Sequence, residues 1–242
     1  MQLLYYAVKY RGDYHRISKA LITNEKWEKI IYDGKYITLM DEDYPDLLLS
    51  LKYKPWVLFY EGNLDLLKEK MIGVVGSREM SNYGCYCVDC LMSHLNQMYG
   101  IVSGMARGID GYAHQKAINN KRATIGIIGC GLNIVYPKEN ASLYDNMKKH
   151  HLILSEYPND TKPLAHHFPW RNRIIAALSE SLIVVEAKAK SGTMISVNEA
   201  LELSKPIYCF PHRFNDEIGI GCNILIEQGS GMINKIEDIE EI

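Results

Sequence analysis

The chain has 242 residues, 27 Lys/Arg against 29 Asp/Glu and 47% hydrophobic residues, the proportions of an ordinary globular protein. No apolar run approaches the roughly 18–20 residues needed to span a bilayer, and the N-terminal stretch lacks a signal-peptide apolar block, so neither membrane insertion nor export is expected and a cytoplasmic location is. A net charge of −2 means that any anionic partner must be held by a local basic patch, not by the field of the whole molecule.

Along the chain, residues 14–32 place Ile17, Ala20, Leu21, Trp27, Ile30 and Ile31 at helical intervals. Asp41–Asp46 opens a short helix over Leu47–Leu51, and Val57–Tyr60 reads as a short strand closed by Gly62. Residues 1–62 are therefore read as a small N-terminal helical segment with one strand, too short for a core of its own. The remainder, 63–242, forms one larger domain.

From about residue 70 short apolar runs recur: 71–75, 101–102, 124–128, 152–154, 182–185 and 207–210. Helical stretches at 85–98, 113–119, 143–149, 172–178 and 195–203 separate them, and the tail 237–242 reads as a terminal helical turn. This alternation predicts an α/β fold with a doubly wound, mostly parallel sheet covered on both faces. Cys85, Cys87 and Cys90 have metal-like spacing but no second ligand pair. Cys85, Val88, Leu91, Met92 and Leu95 instead share a helical stripe, so the thiols are read as buried, reduced and without metal.

Nearly every apolar run ends in Gly, Ser or Pro, and in a doubly wound sheet those ends share the edge where ligands bind. Gly76-Ser77 stands where a Rossmann protein cradles phosphate. However, no G-x-G-x-x-G follows, and the second strand end, Ser103-Gly104, lacks the acidic residue that holds a nicotinamide ribose. P-loop, G-x-S-x-G and H-E-x-x-H patterns are also missing, so no cofactor and no catalytic residue is assigned.

Cations accompany these ends. Arg78 follows Ser77; Arg107 precedes Gly108; Lys138 follows Tyr136-Pro137; Arg171 and Arg173 flank Asn172; Lys188 and Lys190 precede Ser191-Gly192. Guanidinium and ammonium groups beside exposed backbone N–H groups suit phosphate, and a row of them suits a polyanion. Competing structural roles are available. Asp110, four residues before His114, reads as an N-cap that organises its loop more than as half of an acid–base pair. Arg171–Arg173 can pair with Glu156 or Glu186. Tyr136 and Phe168 are candidate stacking residues, Phe168 more readily a core aromatic.

These same stretches carry a family resemblance. Gly73-Val-Val-Gly-Ser-Arg78, Ser103-Gly-Met-Ala-Arg-Gly-Ile-Asp110, Gly129-Cys-Gly-Leu132 with Tyr136-Pro137, Ser155-Glu-Tyr157, Arg171-Asn-Arg-Ile-Ile175 and Glu186-Ala187 with Ser191-Gly192 occur in order. Over roughly residues 36–242 the chain resembles the DprA/Smf family of DNA processing proteins. The resemblance implies an extended Rossmann-like fold that binds single-stranded DNA without sequence preference. It implies a homodimer that protects incoming strands, loads the recombinase RecA and helps displace single-strand-binding protein during natural transformation and recombination, without enzymatic activity. By motif, Arg78 and Lys138 fall in the family's DNA-binding pocket; Gly76, Ser77, Gly104, Arg107, Gly108, Arg171, Asn172, Arg173, Ser191 and Gly192 line the same edge. A reduced N-terminal helical domain is expected, with no counterpart of the winged-helix domain that many members carry. The alternative in the same superfamily is a LOG-like nucleotide phosphoribohydrolase or nucleotide-binding protein, for which Ser191-Gly192-Thr193 and Glu199 give a loose match.

Overall fold

The computed structural model describes residues 1–242. Its elements run α1 (Gln2–Lys9), α2 (Tyr14–Ile22), β1 (Lys35–Thr38), β2 (Val57–Gly62), β3 (Met71–Val75), α3 (Asn82–His94), β4 (Gly100–Gly104) and α4 (Ile109–Asn119). They continue with β5 (Thr124–Ile128), α5 (Ala141–His150), β6 (Leu152–Ser155), α6 (His167–Leu178), β7 (Ser179–Val184), α7 (Thr193–Glu202), β8 (Ile207–Cys209), α8 (Ile220–Glu227), β9 (Gly231–Met232) and α9 (Ile236–Glu240).

All nine strands belong to one sheet, ordered β1-β2-β6-β5-β4-β3-β7-β8-β9. From β6 through β9 the pairing is parallel; β1 and β2 add an antiparallel edge. The boundary read at residue 62 falls at the end of β2, and β2 pairs with β6, so the sheet runs across it. Chain order proceeds from β3 to one side through β4, β5 and β6, then returns to β7 on the other. The β3/β7 junction is thus a topological switch point, where the strand-end loops diverge and leave a crevice.

Strand alternation decides the layers. In β7 and just beyond it, Leu182 and Val184 pack with α6, α7 and α8, while Ile183 and Val185 pack with α3, α4 and α9. A third cluster buries α1, α2 and α5 against Val57, Phe59 and Ile153. The first two helices therefore complete the sheet's flank. A continuous helix over 14–32 is not observed: α2 ends at Ile22, Asn24 takes φ +47°, and Trp27 and Ile31 are exposed. Beyond Ile22 the apolar residues fall at helical intervals without forming a helix. The stripe on α3 also differs from expectation. Cys87, not Cys85, joins Val88, Leu91 and Met92 in the core, and burial pushes its thiol up to about 12. All six cysteines are free thiols.

Candidate nucleic-acid interface

A cavity of about 760 Å³ opens at the carboxyl edge of the sheet, over the switch point. Four segments build it: the loop after β3, the turn before α4, the start of α6 and the loop leading into α7. The first supplies Gly76, Ser77 and Arg78. Arg78 is exposed and makes neither an ion pair nor a side-chain hydrogen bond, and its guanidinium carbon lies 5.7 Å from the centroid of the Phe168 ring. Gly76 is required by packing, because a Cβ there would lie 2.6 Å from the Ile109 side chain.

The second segment supplies Arg107, exposed and 3.8 Å from Glu139, a separation and exposure at which an ion pair holds little. Gly108 does not line the cavity. It is the N-cap of α4 at φ +72°, and a Cβ would sit 2.2 Å from the Ser77 carbonyl oxygen. Its role is to bring the two cation-bearing loops into contact, a contact closed by the Ile109 N–H donating to Ser77 O at 3.0 Å. Gly108 is thus the cap that was assigned to Asp110. Asp110 lies buried in the first turn of α4, its carboxylate 3.9 Å from Arg171. Burial pushes its carboxyl above the usual carboxylate range, against the pull of Arg171 and Arg78.

Arg171 forms the cavity floor. It is buried, donates from Nε to Asn172 Oδ1 at 2.9 Å and to the Ile127 carbonyl, and lies 3.9 Å from Asp110 Oδ2. Gly104 makes room for this arrangement: a Cβ would stand 2.4 Å from both terminal guanidinium nitrogens. Gly104 is therefore a packing glycine behind the floor, not a ligand-facing one. Its carbonyl accepts from His114 Nε2 at 2.7 Å. Burial lowers that imidazole to about 4, so His114 is a neutral core residue whose Nδ1 sits 2.6 Å from the Thr124 hydroxyl.

Arg173 is a correction. It turns away from the cavity and is buried, donating to both Glu156 carboxylate oxygens at 2.6 Å and to the carbonyls of Tyr53 and Trp170. Of the two structural roles open to the Arg171–Arg173 stretch, pairing with Glu156 is the one realised. Glu186 instead accepts from Ser81 beneath α3.

The fourth segment brings Lys188, 3.5 Å from the exposed Glu79, and Ser191, Gly192 and Thr193 at the start of α7. The amides of Arg78, Gly192 and Thr193 donate to no backbone group, whereas the Ser77 amide is taken by Glu186 O at 2.8 Å. Ser191 Oγ is buried and unpartnered beside them. Lys138 is exposed and does not line the cavity. It follows Tyr136 and Pro137, which with Arg78 and Arg107 wall a small side pocket opening from it.

Phe168, a stacking candidate more readily read as core, stands half-buried in the cavity wall, 5.4 Å from the ring of Tyr136. Thr193 and Ser196 were missed, since a hydroxyl in the first turn of a helix carries no sequence signal separating cap from lining.

Taken together, the cavity presents three exposed cations, three free amides, an unpaired hydroxyl and two adjacent aromatic rings. Such a set can bind phosphate oxygens and stack bases.

The family model described as DNA recombination-mediator protein A matches residues 35–242. The chain is 42% identical over 202 residues to DNA processing protein DprA of Streptococcus pneumoniae, covering 84% of this chain and 72% of that protein. It is 44% identical over 207 residues to DprA of Bacillus subtilis, covering 85% and 70%. Among solved structures, that of DNA processing protein A from Helicobacter pylori, described for its single-stranded DNA binding mode, superposes with a TM-score of 0.77 at 31% identity, over 86% of this chain and 95% of that one.

Proposed function

Since the chain belongs to the DNA recombination-mediator protein A family, we propose that it is a DNA processing protein whose cavity holds single-stranded DNA by its phosphates, without catalysis. One observation carries this reading: Arg78, Arg107 and Lys188, from three separate loops, border one cavity that also exposes unpaired amides. A polyanion gains from each cation through counterion release, and backbone contacts of this kind ignore base identity. The H. pylori relative, described for its single-stranded DNA binding mode, supports the same ligand. In this reading Lys138 extends the cationic track past the side pocket. The protein acts as a cytoplasmic homodimer that protects the strand, passes it to RecA and assists in displacing single-strand-binding protein; family membership supports these partners.

Fluorescence anisotropy with labelled oligo-dT tests it. Arg78→Ala is expected to weaken binding by about tenfold and to make the slope of log affinity against log salt shallower by about 0.7, the single-strand value for one phosphate contact. Binding that ignores salt, or that Arg78→Ala leaves intact, overturns it.

The phosphoribohydrolase reading would need Glu199 at the cavity. Glu199 lies nearly two turns along α7, is absent from the cavity wall, and is held above the usual carboxylate range by burial and Glu202. Incubation with AMP is expected to release no adenine.

A further inference from the structure

A second cavity, of about 1180 Å³, lies between the first two helices and the segment after β6. It shares a wall with the first. Within residues 162–170, Pro163, Ala165 and Phe168 face the cationic cavity, while Leu164, His166 and Trp170 face the second.

The two differ in chemistry. The second is walled by the rings of Tyr10, Tyr14, Tyr32, Tyr157 and Trp170. His15, exposed, also lines it, its ring 5.5 Å from Tyr14 and 6.0 Å from Trp170. Its charged lining leans acidic, with Asp13, Asp33 and Asp160 against Arg11 and Lys162. Asn159 adds a buried Oδ1 with no partner. Where the first cavity offers donors and positive charge, this one offers aromatic faces and acceptors. It lacks the cationic surplus of the first cavity. Nucleobases suit it, since each has a π-face and an edge bearing N–H donors.

Single-strand sites span roughly 4–16 nucleotides per OB fold, more than a cavity of about 760 Å³ encloses. A strand held there must leave it, and the shared wall is one segment thick. Resting on the single-stranded DNA reading, we propose that the second cavity seats unstacked bases of the strand whose phosphates the first cavity holds, making one continuous site over the residue 162–170 ridge. The occupant is the same strand, and a separate protein segment in this cavity is the competing outcome.

Two measurements on the full chain test this. Labelled oligonucleotides of about 4 and about 16 nucleotides bracket that range of site sizes. His15→Ala combined with Trp170→Leu is expected to cost about tenfold in affinity for the longer strand, the loss of one stacked base, and nothing for the shorter. Arg78→Ala should weaken both. In the unaltered protein the longer strand should quench indole fluorescence and the shorter should not, with Trp170→Phe removing the quenching; this readout needs no folded double variant. Unchanged affinity of the double variant for the longer strand, equal loss on both lengths, or absent quenching overturns the proposal. Should the unaltered protein bind neither length, the parent reading fails with it.

Discussion

Two regions around the cationic cavity carry arginines, the strand-end loops and α6, and they use them in opposite ways. On the strand-end loops, Arg78 and Arg107 are exposed, and the one ion pair between them, to Glu139, is loose and solvated. On α6, Arg171 and Arg173 are buried and bonded to carbonyls and carboxylates. An exposed guanidinium keeps its donors free for a ligand. A buried one has spent them on the fold, and its removal strands the partner charge. The same residue type is thus left with free donors on the strand-end loops and held as scaffold on α6.

The sharpest break of this comparison is Arg173→Ala, expected to destabilise the fold by about 3–5 kcal/mol because Glu156 is left buried and unpaired. Urea denaturation should show it, and a stable Arg173→Ala protein with weakened DNA binding would reverse the assignment. The scaffold side also has a pH signature. His114 stays neutral in the folded chain down to about 4, while an unfolded histidine protonates near 6.5. The unfolded state therefore binds more protons across that window, and stability falls as pH drops from roughly 6.5 towards 4, by about 3 kcal/mol in all. His114→Gln should flatten that dependence. Arg78→Ala comes next, costing about 1.4 kcal/mol of binding, the tenfold effect above, with an unchanged melting temperature. Arg107→Ala should be smallest, roughly twofold, because Glu139 already offsets part of its charge.

How far the sequence disclosed this division depends on periodicity. Strands such as 71–75 and 124–128 were legible because continuous apolar runs bounded by Gly mark buried parallel strands. β1 was not: at the antiparallel edge only Ile37 and Thr38 of its four residues are buried, so no run forms. α1 and α8 escaped notice because each has only eight residues and only two polar ones, Gln2 and Lys9 or Asn223 and Glu227, to mark its outer face. At the site, Arg78 was legible from its place after a strand. The pair Arg171 and Arg173 misled because residues two apart on a helix point about 200° apart. Placing α6 by its apolar residues would have split them, one towards the crevice and one towards Glu156. Lys138 follows the wall residues Tyr136 and Pro137 and stands outside the cavity lining.

The pairing of β3 with β7 joins residues 71–75 to 179–184, more than a hundred positions apart. Arg78 leaves the ribosome long before the strand that completes its crevice, and non-local pairings of this span close slowly. A nascent chain halted before residue 179 carries Arg78 but no crevice, so the cavity arises only when the second half of the sheet docks.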